Sequence, residues 1–336
     1  MSKELSSQEK RKLGQLKICA QSYSRKGENE LKTMQRRAMK DPKKAKKLMA
    51  AFQKAAIWPS KSVIRICFVE EPKNIERTVY GEYEMSELDP LQAVVDKIED
   101  IKEAIKKIVN ERLQPIVNLK FEFVDDSQIA DVRIAFNPDD GAWSLLGTQC
   151  KDEKNGHTMN LGWFDVATTI HEFCHMLGMI HEHSNPVGSA IEWNEKRVYE
   201  WAEQTQGWDR ETTYVNIIQR AKISEINAST FDPESVMLYF FPGELTINGK
   251  GTKQNTKLSG LDVLYLTKMY PGGAETADAF YRRIYNENIE ESIQKSEEKA
   301  KEKAKMIDMY YSNPVYFLFF IIILLVAYIY INRKKK

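Results

Sequence analysis

Residues 171–181 read HEFCHMLGMIH, and no other stretch constrains the fold as tightly. His171 and His175 are one helical turn apart, so both imidazoles leave the same face of a helix and can reach one ion. That helix must also pack. Val166, Ile170, Phe173 and Leu177 fall within about 60° of one another at ~100° per residue. The two histidines lie roughly 120–160° from the centre of that stripe, so one side faces a core and the other a cleft. Gly178 is expected to end the helix, because glycine takes a left-handed conformation without penalty. The chain then turns back and brings His181 to the same ion as a third nitrogen ligand. Three neutral nitrogens leave the fourth position of a tetrahedral zinc site open for water. Glu172, beside His171, is placed to take that water's proton. His183 is left over and reads as a residue behind the ligands or on the surface.

The elements around this run follow from periodicity. Ser62–Val69 alternates, with Ile64, Ile66 and Phe68 on one face, and reads as a strand. Leu119, Phe121 and Phe123 alternate, as do Val132, Ile134 and Phe136, and Thr158–Trp163 is a further short strand. Asp89-Pro90 is expected to open a helix whose apolar residues Val94, Ile98, Ile101, Ile105 and Ile108 carry it as far as Leu113. Residues 179–258 are loop-rich, with short helices expected at Glu195–Gln204 and Thr212–Ala221. Ser259-Gly-Leu-Asp262 resembles a capping box opening a last helix through Met269, stopped by Pro271-Gly272-Gly273. Strands with one intervening helix, followed by the histidine helix, indicate an α+β domain built on a mixed sheet.

The charge balance is even, 49 Lys+Arg against 48 Asp+Glu, but it is unevenly placed. Residues 1–57 hold 16 basic and 5 acidic residues, a net of +11, and the remaining 33 basic and 43 acidic residues leave −10. A basic N-terminal arm (1–57) is therefore joined to an acidic body, and such an arm suits nucleic acid, anionic lipid or the body itself. Residues 273–313 are densely charged and read as a helical or disordered stalk. Val315–Ile331 is 17 residues without a charge, the short limit of a membrane-spanning helix. A C-terminal transmembrane helix is expected over 314–332, with a basic tail at 333–336. Four cysteines form no dense disulfide pattern, and the first residues are polar rather than signal-like. Flanking basic residues are nearly balanced across the span. Late insertion of a C-terminal span, together with the basic arm, places the domain on the cytosolic side of a single-pass membrane protein.

Two segments carry a family resemblance. HEFCHMLGMIHEH at 171–183 resembles the metzincin zinc proteases, and Glu182 directly after the third histidine resembles their astacin branch. Asp232-Pro-Glu-Ser235-Val-Met237-Leu-Tyr239 resembles the astacin Met-turn segment. Residues 130–136, 141–144 and 158–163 are similar to the strands before the zinc helix, and 258–271 to the closing helix. The resemblance covers residues 58–272. It implies helices above a cleft, a loop-rich lower subdomain with the Met-turn, one catalytic Zn2+ and hydrolysis of protein or peptide substrates. It assigns Met237 to the hydrophobic floor beneath the metal, Tyr239 to the metal or the oxyanion, and Glu182 to a structural place near the site, where in the family it pairs with the N-terminus freed by processing. Substrate would lie extended along an edge strand near Gly141–Gln149. The competing expectation is a membrane-tethered adaptor with a vestigial zinc domain and a basic binding arm.

Overall fold

The computed structural model describes residues 20–22, 24–27, 29, 56–79, 87–185, 191–218, 231–238 and 240–312. Among these the strands are β1 (Ala20–Ser22), β2 (Val63–Phe68), β3 (Glu76–Arg77), β4 (Lys120–Phe123), β5 (Val132–Ala135), β6 (Ala142–Leu145), β7 (Met159–Leu161) and β8 (Trp163–Phe164). Six of them form one sheet in the order β1-β6-β7-β5-β2-β4. The neighbours of β2 and the β5–β7 pair run parallel, while β6 runs antiparallel to β7. Ile64 and Ile66 of β2 are buried, as the alternation requires, and every residue of β5 is buried. The expected strand over 158–163 ends at Leu161 and resumes at Trp163. Gly162 lies between, and a Cβ there would stand 2.5 Å from the Gly141 carbonyl oxygen.

The longer helices are α1 (Ile101–Ile108), α2 (Val166–Met176), α3 (Glu195–Gln206), α4 (Gly260–Met269), α5 (Ala277–Tyr285) and α6 (Ile289–Ser312). The single helix expected from Asp89 to Leu113 is broken. One turn forms at Gln92–Val95 and a new helix starts at Ile101, where Asp100 caps the Lys102 amide at 2.8 Å. Asp89 does not act as a simple cap. Its carboxylate accepts from the Leu91 amide and forms a buried ion pair with Arg112 at 2.7 Å, and Tyr285 donates to it at 3.1 Å. The helix is thus folded back so that its far end meets its beginning.

Two hydrophobic clusters flank the histidine helix. The larger joins the sheet, α1, α2 and α4, and includes Val166, Ile170, Phe173 and Leu177, the whole expected stripe. The smaller gathers Trp193, Val198, Trp201, Ile217, Phe231, Leu238 and Phe241, with Ala142 and Trp163 from the strands. The result is a mixed sheet with helices packed on it, as an α+β fold requires.

Two stretches differ from expectation. Part of the basic arm is a strand: β1 pairs in parallel with β6, Ala20 opposite Trp143 and Ser22 opposite Leu145. The stretch read as a stalk over 273–313 is helical through Ser312, and it packs on the body, with Phe280, Tyr281 and Ile289 entering the main core. Ala277, Ile284, Tyr285 and Ile293 pack against the same core, so apolar residues spaced along otherwise charged helices dock them. Among the described residues no helix is long and apolar enough to cross a membrane. The expected span at 314–332 and the tail at 333–336 lie outside the described residues, as does most of the arm.

The Asp89–Arg112 pair gives a stability prediction. Arg112→Ala leaves a carboxylate buried without its cation and should cost about 3–5 kcal/mol. The double variant Asp89→Ala/Arg112→Ala should cost less than the sum of the two single changes. Urea unfolding of all three variants checks both statements.

Candidate active site

Helix α2 is fixed at both ends. Asp165 caps its start, accepting from the Thr168 amide at 2.6 Å, and Thr78 fixes the same carboxylate at 2.6 Å. Its end is a Schellman turn: Gly178 N donates to His175 O at 2.8 Å and Met179 N to Cys174 O at 2.9 Å. Gly178 has φ +96°, the left-handed region that its position was expected to need. Trp58 Nε1 donates to Met176 O at 2.8 Å and Tyr270 Oη to Leu177 O at 2.7 Å, so the last carbonyls of the helix are also satisfied.

The turn after Gly178 brings the three histidines together. Their candidate ligand atoms lie within 4.8 Å of one another, and all three residues are buried. His171 Nδ1 donates to Val236 O at 2.9 Å, and His175 Nδ1 donates to Met179 O at 2.8 Å. A carbonyl only accepts, so each of these nitrogens carries the proton and each Nε2 keeps its lone pair. Nε2 of His175 and of His181 are 2.8 Å apart. Bare imidazole nitrogens converging in a buried space are the donor set that zinc takes. Burial holds His171 at about 4, and burial together with the neighbouring rings holds His175 and His181 well below the usual histidine range. All three are therefore neutral at pH 7. Glu172 is fully buried on the same helix.

Met237 is fully buried in the larger core, and the Met237 carbonyl accepts from the Glu182 amide at 2.9 Å. The Glu182 carboxylate accepts from Asp232 N and from Asn185 Nδ2, each at 2.8 Å. His183 is buried and stacked on His181, and its Nε2 pairs with Asn216 O at 2.9 Å. It is not one of the three converging ligands. Tyr239 lies outside the described residues.

Sequence reasoning missed the carboxylates behind the Met-turn. Asp262 accepts from Val236 N at 2.8 Å and from Ser235 Oγ at 2.6 Å. Asp232 accepts from Ser259 Oγ at 2.5 Å and from Ser296 Oγ. Burial first, and then the neighbouring Asp232, lifts Asp262 to about 7. The capping box exposed Asp262 as a helix-start residue, and it is one, but its side chain also holds the Met-turn. No pattern in the sequence links Ser296 to this group.

The edge on which substrate was expected to lie is covered. Residues 20–22 pair with β6, Ser24 N donates to Gln149 Oε1 at 3.1 Å, and Ser24 Oγ donates to Asp152 at 3.1 Å.

An ion held by three neutral nitrogens beside a buried carboxylate is the centre of a zinc metallopeptidase, and this fold and site belong to that class. Residues 94–270 match the model of the astacin peptidase family, and the chain is a member of that family. It is similar to the solved "Structure of myroilysin", with 28% identity over 65% of this chain and 97% of that one and a TM-score of 0.50. A second solved structure, "Crystal structure of myroilysin", has 24% identity over 77% of this chain and 93% of that one, with a TM-score of 0.46. Comparison with curated protein sequences gives no match.

The buried neutral imidazoles set an acid limit. In metal-free protein His171 is held at about 4 against ~6.5 in the unfolded chain. Its folded value is depressed, so the stability it supports is present above pH ~6.5 and is lost as pH falls toward 4. The loss should be on the order of 3 kcal/mol from His171 alone, and His175 and His181 act in the same direction. Urea unfolding of chelator-treated protein at pH 7 and pH 4 measures it.

Proposed function

We propose that the protein is a zinc-dependent metalloendopeptidase in which His171, His175 and His181 hold the ion and Glu172 is the general base. The observation that carries this reading is the convergence of three buried imidazoles beside a buried glutamate on the same helix. Zinc bound there would supply a Lewis acid for the scissile carbonyl and lower the pKa of a coordinated water toward ~7. Glu172 takes the proton of the attacking water and delivers it to the leaving amine. The Val236 and Met179 carbonyls keep the His171 and His175 rings in one tautomer and orientation. Met237 forms the floor of the site, and Glu182 ties the segment after the third ligand to Asp232. Tyr239, two residues after Met237, is assigned by its resemblance to stabilising the oxyanion.

Protein or peptide substrate would bind in extended form along β6, adding a strand to the sheet edge. Cleavage within chains, rather than at their ends, fits a substrate laid in extended form along an edge strand. Because β1 lies on that edge, substrate and the chain's own residues 20–22 compete for the same hydrogen bonds.

The reading also includes a single-pass anchor at 314–332, carried by its uncharged composition. The catalytic domain is placed on the cytosolic side, supported by the buried free thiols of Cys67, Cys150 and Cys174. The basic arm is assigned to an anionic surface, lipid or nucleic acid, by its charge alone. For domain boundaries, the catalytic domain is taken as 58–272, extended by the packed helices α5 and α6.

Two outcomes test the enzyme reading. Glu172→Gln should keep about one zinc per chain while abolishing casein hydrolysis, because the proton acceptor is lost. Undiminished hydrolysis by this variant refutes the mechanism, and a wild type that binds zinc without hydrolysing any protein favours the vestigial adaptor. Deleting residues 1–50 should raise kcat/KM on extended peptides severalfold, on the order of tenfold, by uncovering β6. Equal kcat/KM in the two forms shows that β1 does not obstruct substrate.

A further inference from the structure

The Met-turn segment supports two of the zinc ligands. Val236 O accepts from His171, while Met237 O and Asp232 N bond to the backbone and the carboxylate of Glu182, next to His181. Segment 232–237 therefore sets the ring of one ligand and the chain position of another. It has no strand or helix of its own to keep it in place, and its bonds go to neighbouring elements.

Those bonds come from two sides. From α4 and its cap, Asp262 holds Val236 N and Ser235 Oγ, and Ser259 Oγ donates to Asp232. From α6, the buried Ser296 donates its hydroxyl to the other Asp232 oxygen, and Lys299 Nζ lies 3.0 Å from Glu234. The Asp232 carboxylate thus accepts from Ser259, Ser296 and the Glu234 amide. Removing one hydroxyl from this buried set leaves a lone pair unmet, and the group must move or take up water.

The placement of α6 is itself specified. Ser292 hydrogen-bonds Tyr281 Oη at 2.8 Å, and Ile289 enters the main core. Gly260, at the first turn of α4, lets α6 approach: a Cβ there would lie 3.1 Å from Ser292 Oγ and 3.2 Å from Ile293 Cγ1. Yet α6 lies wholly beyond residues 94–270, the part of the chain that matches the family.

We propose that α6 is a working part of the catalytic unit and that Ser296 is a positioning residue, acting through Asp232 on the Met-turn and so on His171 and His181. This rests on the reading that these histidines hold zinc. Ser296 touches neither ion nor substrate; its effect is on ligand geometry. The helix that leads toward the expected membrane span is then mechanically joined to the metal site.

The test uses the full chain, with Ser296→Ala, Ser296→Thr and Lys299→Glu. Zinc release to a chelator, kcat, KM and thermal melting are each measured. Ser296→Ala should release zinc about tenfold faster and lower kcat about tenfold, with KM within about twofold, because ligand geometry rather than substrate binding is disturbed. Ser296→Thr keeps the hydroxyl and should restore both. Lys299→Glu sits on the surface against Glu234, folds without a buried change, and should shift zinc release and kcat in the same direction by a smaller factor. If Ser296→Ala melts lower but its folded fraction keeps wild-type zinc release and kcat, Ser296 is only structural and the proposal falls. If Ser296→Ala does not fold, unchanged zinc release and kcat in Lys299→Glu overturn it. A wild type that binds no zinc would instead overturn the reading of the histidines, a result separable from every outcome above.

Discussion

The candidate site depends on two hydrogen bonds on the outer side of its imidazoles: His171 Nδ1 to Val236 O and His175 Nδ1 to Met179 O. Each fixes a proton on the far side of an imidazole and leaves the near nitrogen unprotonated. Each carbonyl must then be held in its turn. Met179 is placed by the Schellman turn that Gly178 permits. Val236 is placed by Asp262, Ser235 and the groups around Asp232. The caps of α2, the glycine after it and the capping box of α4 all serve the orientation of these rings.

This arrangement has an electrostatic cost that the fold meets with neutral donors. Glu182, Asp232 and Asp262 stand close together near the three histidines, and the bonds to them come from backbone amides, serine hydroxyls and an asparagine amide. Hydrogen bonds of this kind tolerate burial and are directional. They hold a loop where a helix or strand is absent. The Asp89–Arg112 pair solves a comparable problem with a charge partner instead, and there the aim is to close a broken helix onto itself.

Much of this was legible in the sequence where a rule is local. The spacing of His171, His175 and His181, the stripe from Val166 to Leu177, the turn at Gly178 and the capping box at Ser259 each follow from one element's geometry. The parts that were not legible depend on distant partners. The helical pattern from Asp89 to Leu113 runs through the break at 96–100, because periodicity does not register that Asp89 prefers Arg112 to its own helix. Three residues, Ala20–Ser22, carry too little pattern to mark a strand, and their strand is defined by pairing with the edge of β6. Helices α5 and α6 have the composition of a solvated stalk. A handful of residues, among them Phe280, Tyr281, Tyr285, Ile289, Ile293 and Ser296, bring them onto the body. Ser296 is informative only once Asp232 is known to lie beneath it.

The parallel ladder between β1 and β6 has a consequence for how occupancy of the sheet edge varies with conditions. It is three residues long, and parallel pairing is slightly weaker per residue than antiparallel. Such a ladder would be negligible between separate molecules. Joined to the body through the same chain, it is present at a local concentration on the order of millimolar. A dilute polypeptide must exceed that figure, weighted by relative affinity, before it takes the edge. Breaking the chain anywhere between Ser22 and Ala56 would turn a unimolecular equilibrium into a bimolecular one, and simple dilution would then clear the strand.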